Sequence, residues 1–83
     1  MELKDTIPLM TSRDYRERFK AEYYQLKIRI EKLSAMLEKW DAGELNFTPT
    51  CPKDLLEKQC NHMDDYRRIL EQRARLEGIV LEE

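Results

Sequence analysis

The chain has little of what small proteins use as covalent or metal staples. Its 83 residues include two cysteines, one histidine, two glycines and three prolines. Cys51 and Cys60 lie nine positions apart, at the start and in the first turns of one predicted helix, so a bond between them would staple nothing. His62 lies two residues from Cys60, a spacing that matches no common zinc pattern. Neither metal nor cofactor is expected. No apolar run approaches the ~20 residues needed to span a bilayer. The opening MELKDTIPLM has acidic residues where a secretory signal needs a basic end and a continuous apolar block. A reducing cytoplasm and no membrane contact are therefore expected. Catalytic motifs are also missing: there is no nucleophile elbow, Gly-rich phosphate loop, metalloprotease pair or histidine with an acid or base at fixed spacing. The chain reads as a non-enzyme.

Charge is abundant but balanced. Charged residues make up 39% of the chain, the formal net charge is −2 and the pI is near 5.5. A general nucleic-acid binder would carry a basic face strong enough to raise the pI of the whole domain. Apolar content is 41%, enough for one folded domain over 1–83 but with a thin core. Below roughly 80 residues such a core rarely supplies more than ~3–5 kcal/mol. With disulfide and metal set aside, association with further copies is the expected remedy.

Periodicity gives an all-α fold, an antiparallel two-helix hairpin that assembles into a homo-oligomeric bundle. Pro8 within residues 1–11 favours an extended arm. Thr11 and Ser12 then precede an approximate capping box, opening helix one at about residue 12. Phe19, Tyr23, Leu26, Ile30, Leu33, Leu37 and Trp40 follow in alternating steps of four and three, a heptad seam, and Gly43 marks an end near residue 42. Beside this seam lie Ala21, Tyr24, Ile28 and Ala35, more apolar surface than one antiparallel neighbour covers, so something else is expected to pack there. Gly43, Asn46, Pro49 and Pro52 break the chain, with Leu45 and Phe47 as pegs that pin the turn. Helix two is expected over about 51–77, with Pro52 in its first turn. Leu56, Met63 and Leu70 recur every seven residues as its buried stripe. The hairpin thus spans 12–78, and an apolar tail at 79–83, led by Ile79, Val80 and Leu81, is expected to dock.

One heptad line of helix two is polar: Gln59, Tyr66, Arg73. An arginine buried without a partner costs several kcal/mol. Two readings stay open for it. The guanidinium either snorkels to the hairpin edge or pairs with a glutamate such as Glu38 or Glu22, or it grips phosphate in a pocket where Tyr66 offers a stacking face. Tyr15, Phe19, Tyr23 and Tyr24 are read as packing residues. The remaining basic residues, Arg67 and Arg68 among them, are read as a solvated face.

The runs E-Y-Y-Q-L-K-I-R-I-E-K-L, F-T-P-T-C-P-K-D-L-L-E-K-Q and M-D-D-Y-R-R-I-L-E-Q-R resemble small proteins of phages and prophages. These in turn are similar to the helical-hairpin domain of phage anti-defence sponges, which sequester the cyclic nucleotide signals of CBASS and Thoeris immunity. The resemblance covers roughly Arg16 to Gly78, and its pattern falls on Gln59, Met63, Tyr66, Leu70 and Arg73. It implies a homo-oligomer that holds a cyclic nucleotide between subunits, with arginine or lysine on phosphate and aromatic or polar groups on the bases. Carried over, it makes Arg73 the phosphate contact, Tyr66 and Gln59 further contacts, and Arg29 and Lys32 basic positions on helix one. The chain lacks the strand-bearing part of the larger Thoeris-type sponges, which leaves the ligand open. The rival is a structural or adaptor coiled-coil protein that engages another protein through its apolar stripes and pairs Arg73 with an internal glutamate.

Overall fold

The computed structural model describes residues 1–81. Among them there is no strand. A 3-10 turn, Leu3–Thr6, runs into a single α-helical turn, α1 (Ile7–Met10), and two long helices follow, α2 (Tyr15–Asp41) and α3 (Lys53–Glu77). Asp14 caps α2 by accepting from the Arg16 amide at 2.9 Å, which satisfies one of the donors a helix start leaves free. Pro52, expected in the first turn of the second helix, instead precedes it in extended conformation, so α3 begins at Lys53, two residues beyond the expected start. At the other end Gly78 takes the left-handed conformation (φ 70°), and the Ile79 amide closes back on the Ala74 carbonyl at 2.8 Å. Glycine makes that turn without a Cβ penalty.

The long helices pack with opposed chain directions. Tyr15 meets Glu77, Tyr23 meets Glu71 and Lys53 meets Asp41. Between them lies the core of Phe19, Tyr23, Tyr24, Leu26, Leu70, Ala74 and Ile79, with Ile30, Met63, Leu9 and Leu81 packed against it. Phe19, Tyr23, Leu26, Ile30, Met63 and Leu70 are predicted seam positions and Ile79 leads the C-terminal tail, whereas Tyr24 comes from the second apolar row and Ala74 and Leu9 were not expected in the core. Ile79 is buried and Val80 is exposed; Glu82 and Glu83, the end of the tail, lie outside the described residues. The radius of gyration is 15.0 Å, against about 12 Å for a compact domain of this length. A two-helix rod leaves few positions with neighbours on all sides.

The N-terminal residues depart from the extended arm that Pro8 led us to expect. Pro8 sits in the first turn of α1, where a missing amide hydrogen costs nothing and the fixed φ is already helical. The preceding turn is closed by the Glu2 amide donating to Asp5 Oδ2 at 2.7 Å.

These turns lie along α2 and answer the question of what covers its second apolar row. Thr6 is fully buried. Its hydroxyl donates to the Leu3 carbonyl at 2.7 Å and accepts from Gln25 Nε2 at 2.8 Å. Ala21 and Ile28 lie one turn either side of Gln25 on the same face, and both are buried. The chain's own N-terminus therefore supplies the cover that was expected there; Ala35, beyond its reach, stays exposed. The turn pegs hold in part. Leu45 is half-buried, whereas Phe47 is 54% exposed.

Candidate functional site

The opposed packing puts the polar file of α3 on one long edge, facing a file on α2. Arg73 Nη2 donates to the Tyr15 hydroxyl at 2.9 Å, and the Tyr66 hydroxyl donates to Glu22. Stepping seven residues forward on α2 and seven back on α3 repeats this register, which sets Arg29 opposite Gln59. Gln59, Tyr66, Arg73 and Arg29 thus share an edge, and all four are exposed. Lys32 does not join them. It lies one row further round α2, beside the N-terminal turns, with Glu2 Oε2 3.9 Å from its ammonium.

Arg73 is the most organised member of the file. Its guanidinium stacks 5.0 Å from the centroid of the buried Phe19 ring, and its Nε donates to Glu77 Oε2 at 3.2 Å. Tyr15 completes the group by donating to Glu77 Oε1 at 2.6 Å. The Tyr15 hydroxyl bond, reinforced by Arg73 against partial burial, holds the Glu77 carboxyl below the usual carboxylate range. The same bond, together with burial, pushes the Tyr15 phenol up. The arginine therefore neither snorkels freely nor pairs with Glu38 or Glu22; its carboxylate lies one turn further along its own helix. An arginine carries five donors, and Nε and Nη2 use one each. The Nη1 edge has no partner among the described residues, and the side chain is 45% exposed. A ring stack and two fixed bonds orient a fork whose outer edge still faces solvent, the geometry that suits an anion with paired oxygens.

A second group lies across the core. Tyr23, 1% exposed, donates to Glu71 Oε2 at 2.7 Å, and Arg67 donates to Glu71 at 3.0 Å and to Asp64 at 2.6 Å. Read from sequence as part of a solvated face, Arg67 is half-buried and ties the two helices through Glu71. Tyr15, read as a packing residue, is 46% exposed and positions Arg73. Tyr15 is one heptad before Glu22, on the α2 file that faces Tyr66 and Arg73, a relation that appears only with the facing helix in place. An open cleft of about 310 Å³ at the turn collects Lys32, Lys39, Asn46 and the exposed Phe47. Among the described residues no group of histidine, cysteine, aspartate or glutamate could hold a metal ion, and no helix is long and apolar enough to cross a membrane.

The edge that carries Arg73 lies within a stretch, residues 13–76, that matches the family model named Sequestin. The chain belongs to the Sequestin family. The match takes in α2, α3 to its penultimate residue and every residue of the polar file, and the Sequestin name suggests sequestration, a binding role. No curated protein and no solved structure matches the chain.

Proposed function

We propose that this Sequestin chain binds a cyclic nucleotide immune signal, of the cyclic di- or trinucleotide or cyclic ADP-ribose type, and withholds it without cleaving it. In this reading it is a phage anti-defence protein of the host-cell cytoplasm. Its hairpins assemble as a homo-oligomer, and the ligand sits between them. The observation that carries the proposal is the edge itself: an oriented guanidinium, a phenol and an amide at heptad intervals along α3, with a second guanidinium opposite on α2. Arg73 and Arg29 would meet phosphate, while Tyr66 and Gln59 would meet base or ribose, with Lys32 as an outlying cation. The slightly acidic net charge is no obstacle, because a small anion needs only a few focused cations in a cleft. Holding the ligand by enclosure explains why no chemistry is required; a released signal would again reach its effector, so a slow off-rate is the useful property.

Calorimetry against a panel of these nucleotides tests the proposal. Binding in the micromolar range or tighter supports it, and no binding tighter than about millimolar with any of them ends it. One observation favours the adaptor reading instead: Arg73 already has a glutamate partner, Glu77, within the chain. In that case the edge would engage a protein, and Arg73→Ala would change stability alone.

A further inference from the structure

The hydrogen bonds that end α2 decide what lies beside it. Gly43 takes the left-handed conformation (φ 71°). Its amide donates to the Trp40 carbonyl at 3.1 Å, and the Glu44 amide donates to the Lys39 carbonyl at 2.8 Å. In this pattern the chain doubles back over the last helical turn. It brings Asn46 and Phe47 beside the face of α2 that carries Lys32, Ala35, Met36 and Lys39, and the open cleft of about 310 Å³ lies between them. That face is roughly a quarter turn around α2 from Glu22 and Arg29, so the cleft is separate from the edge that holds Arg73.

The cleft has a cation at each end, an apolar floor and an aromatic wall. Lys32 and Lys39 are one heptad apart, about 10 Å along the axis. The Lys39 ammonium has no partner among the described residues. Lys32 has only Glu2, at 3.9 Å and with both side chains well exposed, a pair that holds it weakly. Ala35 lies exposed between the two lysines. It continues the apolar row that the N-terminal turns cover further up the helix, and its small side chain leaves the floor open. Phe47, 54% exposed, forms the wall. Glu44 also lines the cleft, so two lysines stand against one glutamate, net +1.

We propose that this cleft is a second binding site, for a small aromatic phosphate of mononucleotide size. The lining selects that class. Lysine serves phosphate as a point charge, an aromatic face stacks on the flat ring of any base, and the Asn46 amide offers both a donor and an acceptor to the ring's edge. A volume of about 310 Å³ is at the lower end of the ~300–1,000 Å³ range of small-molecule sites. The cleft also gives Lys32, which the helix register leaves off the Arg73 edge, a role of its own. Nothing in this inference rests on the function proposed above, and a chain that fills this cleft yet binds no cyclic nucleotide would keep the one and lose the other.

The probe is adenosine monophosphate, titrated into the isotope-labelled chain and followed by NMR. The amides of Ala35, Lys39 and Asn46 should shift with a Kd below about 1 mM. Adenosine, which lacks the phosphate, and ribose phosphate, which lacks the ring, should each bind about tenfold more weakly or worse. Ala35→Leu fills the floor at an exposed helical position without changing charge, so it should weaken binding about tenfold with helical content intact. Lys39→Gln should also weaken binding and reduce its dependence on salt. Arg73→Ala should leave it unchanged. No shift of these amides at millimolar probe, equal affinity for adenosine, full binding by Ala35→Leu, or loss of binding in Arg73→Ala would each overturn the assignment.

Discussion

The Tyr23 hydroxyl donates to Glu71 at 2.7 Å from a ring that is 1% exposed, and this bond joins the middle of α2 to α3. Burial first, then the hydrogen bond to the carboxylate and its charge, push the phenol up to about 12 from 10.0.

Stability should consequently fall on the alkaline side. In the unfolded chain the phenol ionises near 10, whereas in the native state it remains neutral to about 12. The unfolded state thus loses its proton first and is favoured as pH rises. The contribution is intact below pH 10 and is lost as pH rises from 10 through 12. Chemical denaturation at stepped pH should show this loss. Tyr23→Phe should cost about 1 kcal/mol at neutral pH and flatten the alkaline slope; an unchanged slope would mean that another group carries it.

Thr6 should matter more than its place near the terminus implies. It is fully buried and bonded both ways, to Leu3 and to Gln25. Thr6→Val keeps the shape but removes one of the two acceptors of the half-buried Gln25 amide, leaving Met10 Sδ at 3.4 Å, at a cost of about 1 kcal/mol. Denaturant midpoints should register this. Removing residues 1–10 should go further, uncovering Ala21 and Ile28 and raising dye binding to exposed apolar surface.

Much of this was legible in the residues and some was not. The four-three spacing from Phe19 to Trp40 located α2 because both buried faces of a helix pair are written in the period, and helix ends fell within three residues because capping residues are chemically distinctive. The N-terminal turns were misread because Pro8 disfavours helix before itself yet suits a first helical turn, and only the capping pair Glu2 and Asp5 separates the two cases. The same error hid the cover over Ala21 and Ile28, since a short polar-looking segment gives no sign of which face it will lie on. In the edge, Gln59, Tyr66 and Arg73 stood out as polar residues in a heptad line. Tyr15 did not, because an aromatic at helical spacing looks like core until the facing helix is in place.

Leu70 and Leu76 should behave as opposites although both are leucines on α3. Leu70 is 1% exposed in the core, and Leu76 is 88% exposed on the surface of α3. Leu70→Ala should cost about 2–5 kcal/mol, which in a chain with so thin a core removes much of its stability. Thermal melts should broaden and shift down sharply. Leu76→Ala should leave the melt of the isolated chain nearly unchanged.

Arg73 is where the sequestering and adaptor readings separate. Its pair with Glu77 is partly solvent-exposed, and such pairs contribute little to stability; the stack on Phe19 is likewise a modest contribution. Arg73→Ala should therefore shift the melt only slightly. If the fork grips phosphate, the same change removes a charge-assisted bond of about 1.5–3 kcal/mol and weakens nucleotide binding ten- to a hundredfold. Arg73→Lys keeps the charge but loses the planar fork, so it should restore little of that affinity. Calorimetry and melts on the same two variants give the answer together. A large loss of affinity with a small shift in the melt supports sequestration by this edge. An unchanged affinity would place the ligand elsewhere on the chain, and a shift in the melt alone would favour the protein-binding role.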